Sequence, residues 1–357
     1  MATDPRDKVY ALLGITWDGP FLVPFPNYRT PLRDILANLT HAILIAERSL
    51  NLIFLRSPYH HVEDNLPSWI PPWLINDEFS YWSKSLTIIE NSLLFTRPQV
   101  PGLLIIRSDP EVSSTVSPSY LVVQGIILDE VYALSSTFGT EGEDIQQCDP
   151  ANETRLETNV NKFYPSGPGN ALWQALCIDH DFHPVPRGAG YYSARSNAKY
   201  RSCFASLWSE RDRLPDFVAS NELKAWLQYN AGMKIGGRTI AEWSTNGNHI
   251  QNHTDADIAA CCKTLQDILE SSLRLAVTRL GYLGMVPLQT RRGDNICFLR
   301  GCSVPVVLRA AATGYTVVGC CSLRTKFEPY AEACRKFAVG EDFDSEVMLN
   351  IQELKLV

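Results

Sequence analysis

The sequence predicts an α+β protein with N-terminal helices and strands, a helical middle and a C-terminal antiparallel β-rich meander or partial barrel. Three observations lead to this fold class. Apolar residues recur at helical spacing over residues 32–46. Residues 120–131 form a nearly continuous apolar run, which is typical of a central strand. From residue 273 onward, short β-type runs alternate with glycine-containing turns, which favours an antiparallel arrangement.

Two helix signals stand near the start of the chain. Asp4 can cap a first helix, Pro5 suits its first turn, and Gly14 can end it in a left-handed conformation. Residues 30–31, Thr-Pro, then open the longer helix, whose apolar stripe is expected to pack on the core. The next segment, residues 51–55, is predicted to form a strand.

The octet LPSWIPPW, residues 66–73, combines three prolines with two tryptophans. Proline lacks a backbone N–H and disrupts regular structure, so we predict a rigid extended segment. Trp69 and Trp73 could form a binding platform, but structural anchoring is favoured because large aromatic side chains are mostly buried. Short strands are predicted at residues 92–96 and 102–107.

The sequence pattern divides the chain into four parts. Residues 1–139 hold the N-terminal helices and strands, and residues 140–169 are polar and weakly periodic, which predicts a linker or mobile loop. Residues 170–272 are predicted to be helical, and residues 273–357 to form the β-rich unit with one more strand at its end. The predicted helices of the middle part are residues 170–178, 201–210, 215–229 and 256–272.

Composition limits the classes of partner. Hydrophobic residues make up 45% of the 357 residues, which allows a large buried core. The net charge is -7 and no run of Lys or Arg stands out, so we predict no nucleic-acid partner. No stretch approaches the roughly 20 apolar residues of a membrane span. The start MATDPRDK also lacks the pattern of a signal peptide, so we expect a cytoplasmic protein without membrane contact.

The ten cysteines are scattered or adjacent, as at residues 261–262 and 320–321, and do not form a disulfide framework. Buried thiols are therefore expected. Zinc sites need CxxC or a helical HxxxH pair. CxxC is absent, and His249 and His253 lie in a loop-like stretch, so we predict neither a metal nor a cofactor.

Residues 179–183, DHDFH, are the densest group of potential acid–base or metal-binding side chains. His180 beside Asp179 could act as a general base, but no third ligand is placed, and a solvated loop is favoured. GxSxG is absent, and the one SxxK match, residues 196–199, lacks its companion motifs. Arg309 in the β-rich unit is a further catalytic candidate.

Two charged clusters have structural as well as functional interpretations. DPRD, residues 4–7, could transmit a signal, but a capped helix in which Arg6 pairs with a neighbouring carboxylate explains it more simply. Residues 291–294, RRGD, fit a hairpin turn in which Gly293 takes a positive φ and Asp294 bonds to local backbone. A structural role is favoured for both.

Several segments, taken in order, resemble fungal heterokaryon-incompatibility (HET) proteins. ATDPRDKVYALLGI at residues 2–15 is close to the signature that ends the conserved part of HET domains, and LPSWIPPW is similar to a Leu-Pro-Ser-Trp-x-Pro-x-Trp element of the family. Residues 278–321 resemble the C-terminal segment of large HET-domain proteins. The matching positions are Asp4, Pro5, Arg6, Asp7, Tyr10, Gly14, Pro67, Ser68, Trp69, Pro71, Trp73, Gly284, Pro287, Gly293, Asp294, Pro305 and Arg309.

The chain also departs from the family pattern. The segments that begin HET domains, of the Ala-Leu-Ser-Tyr-x-Trp-Gly and Asp-x-x-Cys-Ile-Asn-Gln types, have no match in this sequence. The resemblance therefore implies the back half of a HET protein, without its front half. The complete HET domain resembles TIR-like signalling domains. Any toxic or nucleotide-directed activity of that front half does not carry over.

The resemblance leaves more than one class of function open. The first is non-enzymatic: a truncated HET protein that acts in fungal self/non-self recognition or programmed cell death through contacts with a protein partner. The second is an enzyme of specialised metabolism, of cyclase, isomerase or hydrolase type, with a small-molecule substrate between the β-rich unit and the middle helices. A degenerate, inactive relative is a third. The first is favoured because no catalytic motif is complete.

Overall fold

The computed structural model describes residues 4–13, 15–22, 26–55, 66–71, 106–107, 120–139, 145, 153–164, 168–176, 198–245, 253–324, 329–342 and 348–357. Within these residues the protein has a mixed α+β fold, in which helices pack against a mostly antiparallel sheet. The predicted fold class is confirmed.

The helices form an N-terminal group, a middle group and one C-terminal helix. The N-terminal group is α1 (Arg6–Leu13), α2 (Gly19–Leu22) and α3 (Leu32–Glu47), followed by a 3-10 helix at Asn51–Leu55. The middle group is α4 (Glu153–Phe163), α5 (Pro168–Leu176), α6 (Ala198–Glu210), a 3-10 turn (Arg211–Arg213), α7 (Asn221–Asn230), α8 (Ile240–Thr245) and α9 (Asp255–Leu269). The C-terminal helix is α10 (Pro329–Val339).

Nine strands of the described residues belong to one sheet, and two short strands form a separate hairpin. The hairpin is β3 (Lys234–Ile235) with β4 (Arg238–Thr239). The sheet contains β1 (Ile106–Arg107), β2 (Leu121–Leu134), β5 (Leu273–Thr278), β6 (Leu283–Pro287), β7 (Asn295–Leu299), β8 (Val306–Ala311), β9 (Gly314–Cys320), β10 (Ser322–Leu323) and β11 (Gln352–Leu356).

Five of these strands form a partial ring. The long strand β2 pairs antiparallel with both β7 and β11. Antiparallel pairing continues from β7 to β8 and from β8 to β9. The ring closes where β11 meets β9 in a parallel pairing of Leu356 with Tyr315. Outside the ring, β5, β6 and β10 extend the sheet from the C-terminal half of β2.

Apolar side chains fill the inside of the ring. All five strands contribute to the larger hydrophobic core. In β2, β7, β8 and β11 the contributing residues are two apart and therefore share one face of the strand. The contributing residues of the ring include Leu121, Val123, Cys297, Leu299, Val306, Leu308, Val317, Leu354 and Leu356. The opposite faces of β2 and β7, including Ile126 and Phe298, contribute to a second core with Phe337 of α10. The sheet is therefore covered on both faces.

A chain of aromatic contacts connects the middle helices. Trp173 on α5 lies 5.0 Å from Phe204 on α6, measured between ring centroids. Phe204 lies 5.9 Å from Trp208, and Trp208 lies 6.2 Å from Trp226 on α7. All four side chains are buried. The four helices predicted for this region are present, with ends shifted by up to six residues.

One predicted strand is wrong. Asn51–Leu55 forms a 3-10 helix. Leu50 and Ile53, three residues apart, are both fully buried, which fits the three-residue repeat of a 3-10 turn and conflicts with the alternation of a strand. The Asn51 side chain also accepts a hydrogen bond from the Ser303 backbone N–H, at 2.9 Å. Contact with the loop before β8 therefore favours a 3-10 helix over a strand at Asn51–Leu55.

Four helices of the described residues were not predicted, and two of them, α2 and α8, are only four and six residues long. Helix α4 lies within residues 140–169, the predicted linker or loop. Its Leu156 and Val160 are four residues apart, on one face of the helix, and both are buried. Helix α10 lies within residues 273–357, the predicted β-rich unit, and its Ala331, Cys334 and Phe337 are buried. In α4 and α10 the apolar residues are few and are separated by polar residues, so the helical repeat was not evident from the sequence.

The remaining predictions divide between described and undescribed residues. Strand β2 is present and central, as predicted from its apolar run, and the predicted last strand is present as β11. Residues 92–96 and 102–105 lie outside the described residues, while Ile106–Arg107 forms the short strand β1. The proposed domain limits stay predictions, although the sheet joins β2 to strands that follow residue 272.

Candidate functional site

The DPRD cluster organises the start of the chain. The Asp4 carboxylate accepts a hydrogen bond from the Arg6 backbone N–H at 2.9 Å, and its other oxygen lies 2.8 Å from the Arg6 guanidinium. This hydrogen bonding with Arg6 lowers the pKa of the Asp4 carboxyl. Arg6 also donates to the backbone oxygens of Tyr28 and Thr30. The Tyr28 hydroxyl in turn donates to Asp7 at 2.7 Å.

Tyr10 completes these contacts. Its hydroxyl donates to the Asn27 backbone oxygen at 3.0 Å and accepts from the Asn27 N–H at 3.1 Å. Its ring contacts the Tyr28 ring edge-on, with centroids 5.3 Å apart. The family-like residues of α1 therefore hold the segment 27–30 that leads into α3. Gly14, the predicted helix end, lies outside the described residues.

The same region carries an exposed apolar surface. Ile15 is 82% exposed, Trp17 is 88% exposed and Phe21 is 80% exposed, all within seven consecutive residues between α1 and the end of α2. We call these three side chains the N-terminal apolar surface. Large apolar side chains grouped on a surface commonly mark contacts with another protein. Nothing in the sequence pattern distinguished them, because they are not periodic.

Arg309 lies in a tightly bonded turn. Its guanidinium donates to both carboxylate oxygens of Asp294, each at 2.8 Å, and to the Gln289 backbone oxygen at 2.7 Å. Asp294 is almost fully buried and also accepts from the Arg291 N–H at 2.8 Å. Gly293 has φ +87°, a value that favours glycine, as the predicted hairpin turn requires.

This turn is linked to the ring. The Gly293 N–H donates to the Val131 oxygen, and the Val131 N–H donates to the Asp294 oxygen. The Asp294–Arg309 pair therefore connects β2, the β6–β7 connection and β8. Among family-like positions nearby, Gly284 and Pro287 lie in β6, and Pro305 precedes β8 and accepts from the Cys321 N–H at 3.0 Å.

The LPSW residues lie in the interior of the protein. Pro67, Ser68, Trp69 and Pro71 are buried, and Trp69 is 0% exposed. Among the described residues, the Trp69 indole N–H meets no hydrogen-bond partner. Burial of Trp69 confirms its predicted role as an anchor, whereas Trp73 lies outside the described residues.

The thiols are in the cores. Eight cysteines among the described residues are buried and form no disulfide, as predicted: Cys203, Cys261, Cys262, Cys297, Cys302, Cys320, Cys321 and Cys334. Burial raises the pKa of the Cys262 thiol to about 11 and raises those of Cys297, Cys302 and Cys321 further. A raised pKa disfavours the thiolate, so these groups are poor nucleophiles. Among the described residues no cluster of His, Cys, Asp or Glu could hold a metal ion.

A buried polar network was missed by the sequence interpretation. Asn230 at the end of α7 accepts from the Ser136 N–H at 2.8 Å and donates to the Ser136 hydroxyl at 2.7 Å. Trp226 donates to the Ser136 backbone oxygen at 3.1 Å. Buried Arg274 on β5 donates through Nε to the Ser135 oxygen at 2.8 Å. These bonds fix the end of β2 against α7, and no local sequence signal pairs residues so far apart.

The two remaining catalytic candidates are not placed. Asp179 and His180 lie outside the described residues. Arg309 itself is engaged by Asp294 and Gln289, and these contacts account for its position. The described part of the chain thus offers one exposed candidate surface, near the N-terminus, and an ion pair within the sheet.

Comparison with known proteins gives one finding. Residues 163–321 match a family model described as the Het-6 beta-barrel domain. No curated protein and no solved structure gives a significant match to the chain. The described helices include none that is long and apolar enough to cross a membrane. Residues 163–321 contain β5–β9, whereas β2 and β11, which complete the ring, lie outside them. The match therefore relates residues 163–321, less than half of the chain, to the Het-6 beta-barrel domain, of a family related to heterokaryon incompatibility.

Proposed function

We infer that this protein acts in fungal heterokaryon incompatibility by binding another protein through the N-terminal apolar surface. The Het-6 barrel domain supports the link to incompatibility. The observation that carries the binding role is the exposure of Trp17, at 88%, beside Ile15 and Phe21. Tryptophan is enriched among the few residues that dominate binding energy in protein interfaces.

The position of this surface supports the same role. It follows α1, whose Arg6, Asp7 and Tyr10 are bonded to residues 27–30. Leu13 at the end of α1 packs against the core. A surface that is held in place before binding loses less conformational entropy when a partner docks. A role in programmed cell death belongs to this proposal and rests on the resemblance of the sequence to HET proteins.

Replacing both Trp17 and Phe21 with alanine is expected to abolish the effect of this protein on a fungal host. Truncating one hot-spot aromatic typically costs about 2 kcal/mol of binding, or roughly 30-fold in affinity. Growth rate and compartment death would be measured on expression of the wild-type chain and of the double variant. Protein level and thermal midpoint would be measured in parallel, and both should be unchanged because neither side chain is buried.

Phe217→Ala provides the matched control. Phe217 is 76% exposed and lies in the turn before α7, apart in sequence from the N-terminal apolar surface. Its variant should reduce growth as much as the wild type does. The proposal fails if the wild-type chain has no effect on growth, or if the double variant acts as strongly as Phe217→Ala.

A further inference from the structure

The ring has one weak point, where β9 and β11 meet. Every other neighbouring pair of ring strands is joined over at least three residue pairs, but β9 and β11 share only the pairing of Leu356 with Tyr315. The Val357 N–H donates to the Tyr315 oxygen at 2.8 Å. We call this junction the seam. A Cβ on Gly314 would meet the Lys355 oxygen at 2.4 Å, so the two strands already approach closely there.

Ser68 occupies the next position along the seam. In a regular parallel ladder, a residue that donates to one residue of its neighbour accepts from the residue two further on. Val357 donates to Tyr315, so its oxygen would accept from the Val317 N–H. Instead, the Val317 N–H donates to the Ser68 hydroxyl at 2.9 Å, and that hydroxyl donates to the Val357 oxygen. The Ser68 backbone N–H also donates to the Val357 oxygen, at 2.9 Å.

The serine hydroxyl therefore replaces one rung of the ladder. Ser68 lies in residues 66–71, a segment that is distant in sequence from β9 and β11. We call this segment the strap. Trp69 and Ile70 anchor the strap in the same core that fills the ring. The strap is thus held by side-chain burial on one side and by the inserted hydroxyl on the other.

We propose that the strap is a reversible fastener of the seam, so that β9 and β11 separate when Ser68 is displaced. On separation, β11 stays paired with β2 along its five residue pairs, and β9 stays paired with β8. The Tyr315 oxygen then loses its bond from the Val357 N–H, and the Val317 N–H loses its bond to the Ser68 hydroxyl, which uncovers an edge of β9. Such an edge can accept another extended segment. This device is independent of the N-terminal apolar surface.

Hydrogen exchange of single amides in the full chain, followed by NMR, tests the proposal with Ser68→Ala. The variant keeps the backbone bond to Val357 but removes both hydroxyl bonds. A buried N–H that loses its acceptor is exposed to opening, and we expect exchange of the Val317 and Val357 amides to be about tenfold faster or more. Amides of the β5–β6 ladder, which lies outside the ring, should keep their wild-type rates.

Two further measurements keep the test decisive. Ser271→Ala is the matched control, since Ser271 is also buried but lies in the turn after α9, where its hydroxyl donates to the Asp267 backbone oxygen. This variant should leave the seam amides unchanged. If Ser68→Ala does not fold, hydrogen exchange of the wild-type protein in low denaturant tests the proposal instead. The Val317 and Val357 amides should then open together, before the β5–β6 ladder. The proposal is overturned if the seam amides open only together with the β5–β6 ladder, or if Ser68→Ala does not change their exchange rates.

Discussion

Replacing Trp69 with alanine is expected to lower the free energy of unfolding by about 4 kcal/mol, the range for a fully buried aromatic side chain. Trp69 is 0% exposed and anchors the strap in the core of the ring. Its removal leaves a cavity beside strands that are far apart in sequence. Denaturant unfolding followed by circular dichroism measures the change. A loss below about 1 kcal/mol would contradict the anchoring role, because it would equal that of an ordinary substitution.

The indole N–H provides a sharper comparison. Within the part of the chain that the structure describes, the Trp69 N–H has no partner, whereas the Trp226 N–H donates to the Ser136 oxygen at 3.1 Å. Replacing either residue with phenylalanine removes similar volume from a buried site. Only the Trp226 variant also breaks a buried hydrogen bond, so Trp69→Phe should cost less, by about 1 kcal/mol. Equal costs would show that the Trp69 N–H is bonded in solution.

Replacing Asp294 with alanine is the second change with a large expected effect. It removes a buried carboxylate that receives two bonds from Arg309 and one from the Arg291 N–H. The Arg309 guanidinium, 29% exposed, then lies unpaired beside the sheet. Breaking a mostly buried pair in this way costs about 3 kcal/mol. The same denaturant unfolding measures it.

A double-mutant cycle separates the stability contributed by the Asp294–Arg309 ion pair from that contributed by the other bonds of the turn. Arg309→Ala alone should also destabilise the protein, since it leaves Asp294 buried without its charge partner. The double variant should cost less than the sum of the two single changes. Asp216→Ala serves as the control, because the Asp216 carboxylate is 91% exposed and its ion pair with Lys224 is on the surface. That variant should leave the unfolding midpoint unchanged. Additive costs at Asp294 and Arg309 would contradict a coupled pair.

Local patterns in the sequence predict much of the fold. Strand β2 is evident from its apolar run, and the Gly293 turn from its residue types, because both depend on neighbours in the chain. Asn51–Leu55 was mispredicted since its 3-10 turn depends on Gly301 and Ser303, about 250 residues away. The closure of the ring by Ser68 has the same non-local origin. A motif such as LPSW indicates a buried tryptophan but does not identify the strands that its serine joins.

The candidate site was less predictable than the fold. Exposed side chains such as Trp17 leave no periodic signal, so only the structure distinguishes them from core residues. Arg309 is a catalytic candidate only under the enzyme alternative, and its bidentate pairing with Asp294 depends on a contact between β8 and the preceding turn. Asp179 and His180 lie outside the described residues, so their predicted place in a solvated loop stays a prediction.

Native-state hydrogen exchange of β2 tests most directly whether this strand and the strands after residue 272 form one cooperative sheet. Strand β2 pairs with β5, β7 and β11, although more than 130 residues separate it from the nearest of them in sequence. The amides of Leu121–Leu134 that face β5 and β7 should therefore open with the same free energy, and the same dependence on denaturant, as their partners in those strands. Separate opening of β2, at a clearly lower free energy than β5 and β7, would contradict the single sheet described here.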